Sequence, residues 1–127
     1  MGFIKNLFSS SESASDSNSR LPWLFLNALP QLDEIKEVSQ TKTVLIFKHS
    51  TRCGVSSMAH KEFEKSFQPN ENTVLYFLDL LAHRDISDAI ASQFRVQHQS
   101  PQLLVIEKGA CTKHASHYDI ERLSETI

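Results

Sequence analysis

Three apolar runs constrain this chain most: Thr43–Phe47, Thr73–Leu78 and Gln102–Ile106. Beyond their first residue they do not alternate polar with apolar side chains, which is the pattern of strands covered on both faces. The segments between them change period. Leu32, Ile35 and Val38 recur at helical spacing, and so do Val55, Met58, Ala59, Phe63 and Phe67 between Gly54 and Phe67. Ile86, Ala89, Ile90 and Phe94 mark another helix face. A short strand is expected at Leu24–Leu26, ahead of the first helix. After the third run, Glu107-Lys108-Gly109-Ala110 has the composition of a hairpin turn, followed by a more polar strand near Cys111–His117. Asp119 is the expected N-cap of a closing helix carrying Ile120, Leu123 and Ile127.

The order is therefore β-α-β-α-β-α-β-β-α. Strands joined by helices are expected to pair in parallel, and the last two strands as an antiparallel hairpin. This describes an α/β, thioredoxin-like three-layer sandwich, with a central mixed sheet of four to five strands flanked by helices. Ligands of such sheets meet the carboxyl ends of the parallel strands. The 127 residues suit one domain with a real core. That domain is expected over residues 21–127. Residues 1–20 read as a disordered Ser-rich tail, because seven of the eleven residues from Ser9 to Ser19 are serine and none is large and apolar.

A net charge of −2 gives no general electrostatic attraction to nucleic acid or to an anionic membrane. No apolar run approaches the roughly 18 residues of a membrane span. The opening Met1–Phe8 lacks the core and cleavage site of a secretory signal. Gly2 precedes Asn6, not the Ser or Thr of a myristoylation site. Neither nucleic acid nor a stable membrane contact is expected, and the expected location is cytoplasmic. The two cysteines, Cys53 and Cys111, make no disulfide framework and fit a reducing compartment.

Cys53 falls between the first buried run and the helix that begins at Gly54. Unpaired N–H groups and the positive end of the helix dipole there favour a thiolate, which is the nucleophile of disulfide exchange. Three residues on, where a resolving cysteine would stand, is Ser56. Cys53 can thus form a mixed disulfide that Ser56 cannot close into an internal one. Arg52 adds positive potential. Ser56 is expected to hydrogen-bond the sulfur or to cap backbone. Lys48, His49 and Asp79 end strands at the same edge, where a polar, solvated strand end competes with an electrostatic or proton-accepting role.

Pro101 opens the third run, a position that needs no ladder donor. The alternative is a cis Ser100–Pro101 bond facing Cys53. Hairpin geometry places Ser116 and His117 opposite Pro101 and carries Cys111 to the far end, on the order of 15 Å away. A disulfide needs Cα atoms within roughly 7 Å, so Cys111 is not expected to resolve Cys53. Cys111, His114 and His117 would share a helix face but not a strand face, so no metal site is expected.

Lys48-His49-Ser50-Thr51-Arg52-Cys53-Gly54-Val55-Ser56, then His98-Gln99-Ser100-Pro101-Gln102, then His114-Ala115-Ser116-His117 closely resemble the monothiol bacilliredoxin family. The resemblance covers about Trp23 to Ile127. Lys113 departs from the apolar or aromatic residue expected at its place. The resemblance implies a disulfide-exchange enzyme that removes bacillithiol from protein cysteines. Cys53 would be its nucleophile, Ser56 its non-resolving position and Pro101 its cis-proline. Thr51, Arg52, Ser56, Ser100, Pro101 and His117 are the candidate substrate contacts. Bacillithiol would be a co-substrate, with no metal or organic cofactor. The partners would be bacillithiolated client proteins, a low-molecular-weight thiol and a recycling redoxin. A non-catalytic redox sensor or binding module, with Cys53 as the modified residue, is the alternative reading.

Overall fold

The computed structural model describes residues 20–127; the Ser-rich segment read as a tail lies outside them, apart from Arg20. The elements follow the expected order: β1 (Trp23–Phe25), α1 (Gln31–Val38), β2 (Thr43–His49), α2 (Gly54–Ser66), β3 (Thr73–Asp79), α3 (Arg84–Phe94), β4 (Gln102–Glu107), β5 (Ala110–Ser116) and α4 (Asp119–Ser124). The sheet order is β1-β3-β2-β4-β5. β2 therefore lies at the centre, which explains why its apolar run is continuous: Val44 to Ser50 are all buried.

Alternate residues of β2, β3 and β4 feed two cores. Val44, Ile46, Leu78, Leu104 and Ile106 pack with Leu32 and Ile35 of α1 and with Ile86, Ile90 and Phe94 of α3. Leu45, Phe47, Leu75, Leu103 and Val105 pack on the other face with Trp23, with Phe63 and Phe67 of α2, and with Ile120 of α4. The result is the three-layer sandwich. Among the described residues, no helix is long and apolar enough to cross a membrane.

The pairing corrects one expectation. β1 and β2 both run parallel to β3, but β4 runs antiparallel to β2 although a helix joins it to β3. The reason lies in the connection. α3 is followed by residues 95–101, which start from a left-handed Arg95. This segment brings the chain back to the edge where β3 ended, so β4 must start there and run the other way. Its Gln102 pairs with Lys48, beside the pairing of His49 with Asp79.

The hairpin turns at Lys108 and Gly109, both at positive φ (54° and 78°), as a two-residue primed turn requires. It is tied down by Lys108 N donating to Ser39 O at 2.7 Å and Gly109 N to Ser39 Oγ at 2.9 Å. The register sets Gln102 against Ser116 and Ile106 against Cys111, with Thr112 bulged out between Val105 and Ile106. β5 stops at Ser116, because His117 turns to positive φ (56°). Two local expectations shift. Asp119 is the first helical residue, and Tyr118 occupies the N-cap. Met58, assigned to the core face of α2, is 59% exposed. Buried Ser56 and Phe63 show that this helix turns its opening apolar residues outward.

Candidate active site

Cys53 is the N-cap of α2, in extended backbone, and is partly exposed. The turn carrying it is closed by Cys53 N donating to Ser50 O at 3.2 Å, and its carbonyl accepts from Ser57 N at 3.1 Å. Thr51 and Arg52, at the tip of that turn, are exposed. A Cβ added at Gly54 would meet open space.

Ser56 is wholly buried and committed. Its Oγ accepts from Ser50 N at 3.0 Å and lies 2.8 Å from His49 Nδ1. The hydroxyl placed where a resolving thiol would stand thus binds the Cys53 turn to the end of β2. Its direct partners are protein groups, and its side chain is sealed from solvent in this conformation. His49 is held below its usual pKa by burial, against the opposing pull of Asp79. The imidazole and the hydroxyl share one hydrogen bond, whose direction follows the imidazole tautomer. His49 also packs against His60 and Phe77. His60 is likewise lowered by burial, and its Nε2 lies 3.7 Å from Glu64 Oε2, which accepts from Trp23 Nε1. Asp79 uses its carboxylate to accept from Leu81 N and Ala82 N at 3.2 and 3.4 Å, closing the turn after β3.

On the opposite face of β2, Lys48 is fully buried. Its Nζ lies 2.8 Å from His98 Nδ1, and Ser87 Oγ lies 3.3 Å from the same nitrogen. Burial lowers the Lys48 pKa to about 8, with Asp88 pulling the other way. His98 is lowered too, first by burial and then by the Lys48 charge. The pair fastens the segment before β4 to the central strand.

That segment ends in a cis Ser100–Pro101 peptide. Since Lys48 pairs with Gln102, Pro101 stands across from His49, at the edge that carries Cys53. Pro101 O accepts from His117 N at 3.1 Å, so His117 is at the same edge, as hairpin geometry requires. Its side chain lines a groove of about 330 Å³ with Val55, Met58, Ala59 and Tyr118. The outward-turned residues of α2 find their place there. All seven candidate residues, Thr51, Arg52, Cys53, Ser56, Ser100, Pro101 and His117, thus gather at one end of the sheet.

Cys111 is at the other end. It packs against the core shared by α1 and α3, its Sγ lies 3.2 Å from Lys113 O, and burial raises its pKa. Lys113 itself is exposed. Among the described residues, no group of three His, Cys, Asp or Glu side chains is disposed to hold a metal.

Sequence reasoning left Lys48, His49 and Gln102 without firm roles. The available signal was the central, doubly covered strand itself: period 2 carries Lys48 onto the face of Val44 and Ile46, and His49 onto that of Leu45 and Phe47.

A solved structure assigned as an oxidoreductase with a thioredoxin fold is 30% identical to this chain, covering 82% of it and 90% of itself, with a TM-score of 0.69. Thioredoxin from Malassezia sympodialis superimposes with a TM-score of 0.66 at 21% identity, over 85% of this chain and 90% of its own. That from Trypanosoma brucei brucei gives 0.63 at 17%, over 82% and 86%. The fold is thioredoxin-like, and the protein is of the thiol–disulfide oxidoreductase class. More narrowly, residues 25–124 match the family model described as monothiol bacilliredoxin BrxC, and the chain belongs to that family.

Proposed function

We propose that this protein removes bacillithiol from protein mixed disulfides through Cys53 alone. The observation that carries the reading is the pairing of a partly exposed Cys53 at a helix N-cap with a buried Ser56 hydroxyl in the resolving position. The Cys53 thiolate attacks the bacillithiol sulfur of the mixed disulfide. The client sulfur leaves with the bonding electron pair and takes up a proton. Cys53 now carries the bacillithiol. A second bacillithiol thiolate, or the thiolate of a partner redoxin, attacks that adduct. This restores the Cys53 thiolate and releases oxidised bacillithiol or a mixed disulfide on the redoxin.

The surrounding groups have distinct parts. The α2 N-terminus and the exposed Arg52 supply positive potential to the thiolate and to anionic groups of the small thiol. Thr51, Ser100, Pro101 and His117 border the approach to Cys53, with the backbone near Ser100 open to an extended substrate. Ser56 acts from beneath by fixing the turn. A reducing, cytoplasmic setting suits two unpaired cysteines.

The test is turnover. A bacillithiolated client with excess bacillithiol should be reduced many times over by catalytic amounts of protein, and intact mass should reveal a single bacillithiol adduct on Cys53. Stoichiometric labelling of Cys53 without turnover would replace this reading with that of a redox sensor.

A further inference from the structure

A second groove lies at the same end of the sheet, against the segment before β4. Of about 330 Å³, it is lined by Gln97, Gln99, Gln102, His114, Ser116 and Asp119. Polar side chains outnumber apolar ones along it, with Ala115 the apolar member, whereas Val55, Met58, Ala59 and Tyr118 bring more apolar surface to the other groove. Gln102 has a particular feature. Its Nε2 donates to Gln97 O at 3.0 Å. A carbonyl can only accept, so the amide is fixed with Oε1 turned away. That Oε1 is buried and has no hydrogen-bond partner among the described residues, on a side chain that is 1% exposed. The Ser100 hydroxyl, ahead of the cis bond, is also buried without such a partner. A buried unpaired acceptor is costly to the fold, and its presence calls for an explanation.

From these observations we infer that the groove receives the hydroxyl- or amine-bearing body of the small thiol whose sulfur reacts at Cys53. Gln102 Oε1 accepts a hydrogen bond from that body. Amide side chains and the Asp119 carboxylate can hold a polyhydroxylated ligand. The wall is rigid, because the Lys48–His98 contact anchors the segment from below. Ser50 and Cys53 are joined across a single turn, which keeps their Cα atoms within roughly 7 Å. His49 and Pro101 face each other on strands about 5 Å apart. With the two Cα–Cα links between them, these steps bound the path from Cys53 to Gln102 at roughly 20 Å, which the ligand body crosses at the cis-proline edge. The client polypeptide is then left the apolar side, past His117.

This inference rests on the proposed thiol exchange, so two measurements separate them. In the first, bacillithiol is titrated into 15N-labelled full-length Cys53→Ser protein, with 2-mercaptoethanol as control. Bacillithiol alone should shift the amides of residues 97–102 and 114–116. Shifts confined to residues 55–62 and 118–121, or none at saturating millimolar ligand, would overturn the inference. In the second, one client is presented as its bacillithiol and as its 2-mercaptoethanol mixed disulfide. The ratio of kcat/KM for the two should fall on the order of tenfold in Gln102→Leu, about the effect of one hydrogen bond, and by less in Ser100→Ala. Turnover of both disulfides with an unchanged ratio in both variants sinks the groove but spares the exchange reaction. If wild type turns over neither, the exchange reading fails and the groove falls with it.

Discussion

The two ends of the sheet are built on different terms. At the hairpin end, backbone turn chemistry satisfies the chain: Lys108 and Gly109 take the positive φ that the turn demands, and Ser39 receives both of their N–H groups. Its cysteine, Cys111, is packed against apolar side chains. At the other end polar side chains are driven inside. Lys48, His49, Ser50, Ser56, Ser87 and Gln102 are all buried there. Polar burial is unfavourable unless each group is partnered, and here most are partnered by polar groups of neighbouring segments, Lys48 by His98 fifty positions away. A fold accepts such an arrangement where it must hold a reactive position in place. The thiol in that setting, Cys53, is the one that carries the proposed chemistry.

Exchanging the two cysteines singly tests this contrast at full strength. Cys53→Ser should abolish reduction of a bacillithiolated client, whereas Cys111→Ser should leave the rate within about twofold. Loss of turnover in Cys111→Ser, or a high-yield Cys53–Cys111 link in non-reducing peptide maps, would erase the distinction.

The buried cation offers the next largest effect. The Lys48 pKa is lowered to about 8 from its ordinary 10.5. The unfolded chain therefore binds the proton more tightly, and the penalty is fully present below pH 8. It is relieved as pH rises from about 8 towards 10.5, so stability increases across that window. A fall from 10.5 to about 8 corresponds to about 3 kcal/mol at most. Urea midpoints should climb from pH 8 to 10 in wild type. They should stay flat in Lys48→Met, which should also be the more stable form at pH 7. A flat wild-type profile would show that Lys48 is not the strained group described here.

Ser56→Ala removes the partner of the buried Ser50 N–H and of His49 Nδ1. A loss of roughly 1–3 kcal/mol is expected, along with a slower Cys53 alkylation rate as the turn loosens. An unchanged midpoint would mean that water replaces the hydroxyl. Cys111→Ala should have the smallest effect, within about 1 kcal/mol, because the half-exposed thiol leaves little cavity.

Much of this architecture was legible in the sequence. The three apolar runs mark the central strands, and Lys108-Gly109 marks the turn that sets Ser116 against Gln102 and Cys111 against Ile106. The direction of β4 was not legible, because it depends on where the segment from Arg95 to Pro101 delivers the chain. The buried ends of β2 were also hidden. Lys48 meets His98 fifty positions away, and a lysine or histidine at a strand end ordinarily faces water. Met58 satisfied the helical period yet faces outward, since periodicity fixes the spacing of a face but not what covers it.

The Ser56 hydroxyl has a consequence on the scale of descent. Exchanging its oxygen for sulfur is a single-atom change, and it would place a second thiol one helical turn from Cys53. Sulfur is a weak acceptor and S–H a weak donor, so the contacts of Ser56 with Ser50 N–H and with His49 Nδ1 would both weaken in the same step. A second thiol at position 56 therefore requires compensating changes at the end of β2 before it becomes tolerable, and the lone thiol of this site is entrenched by its surroundings.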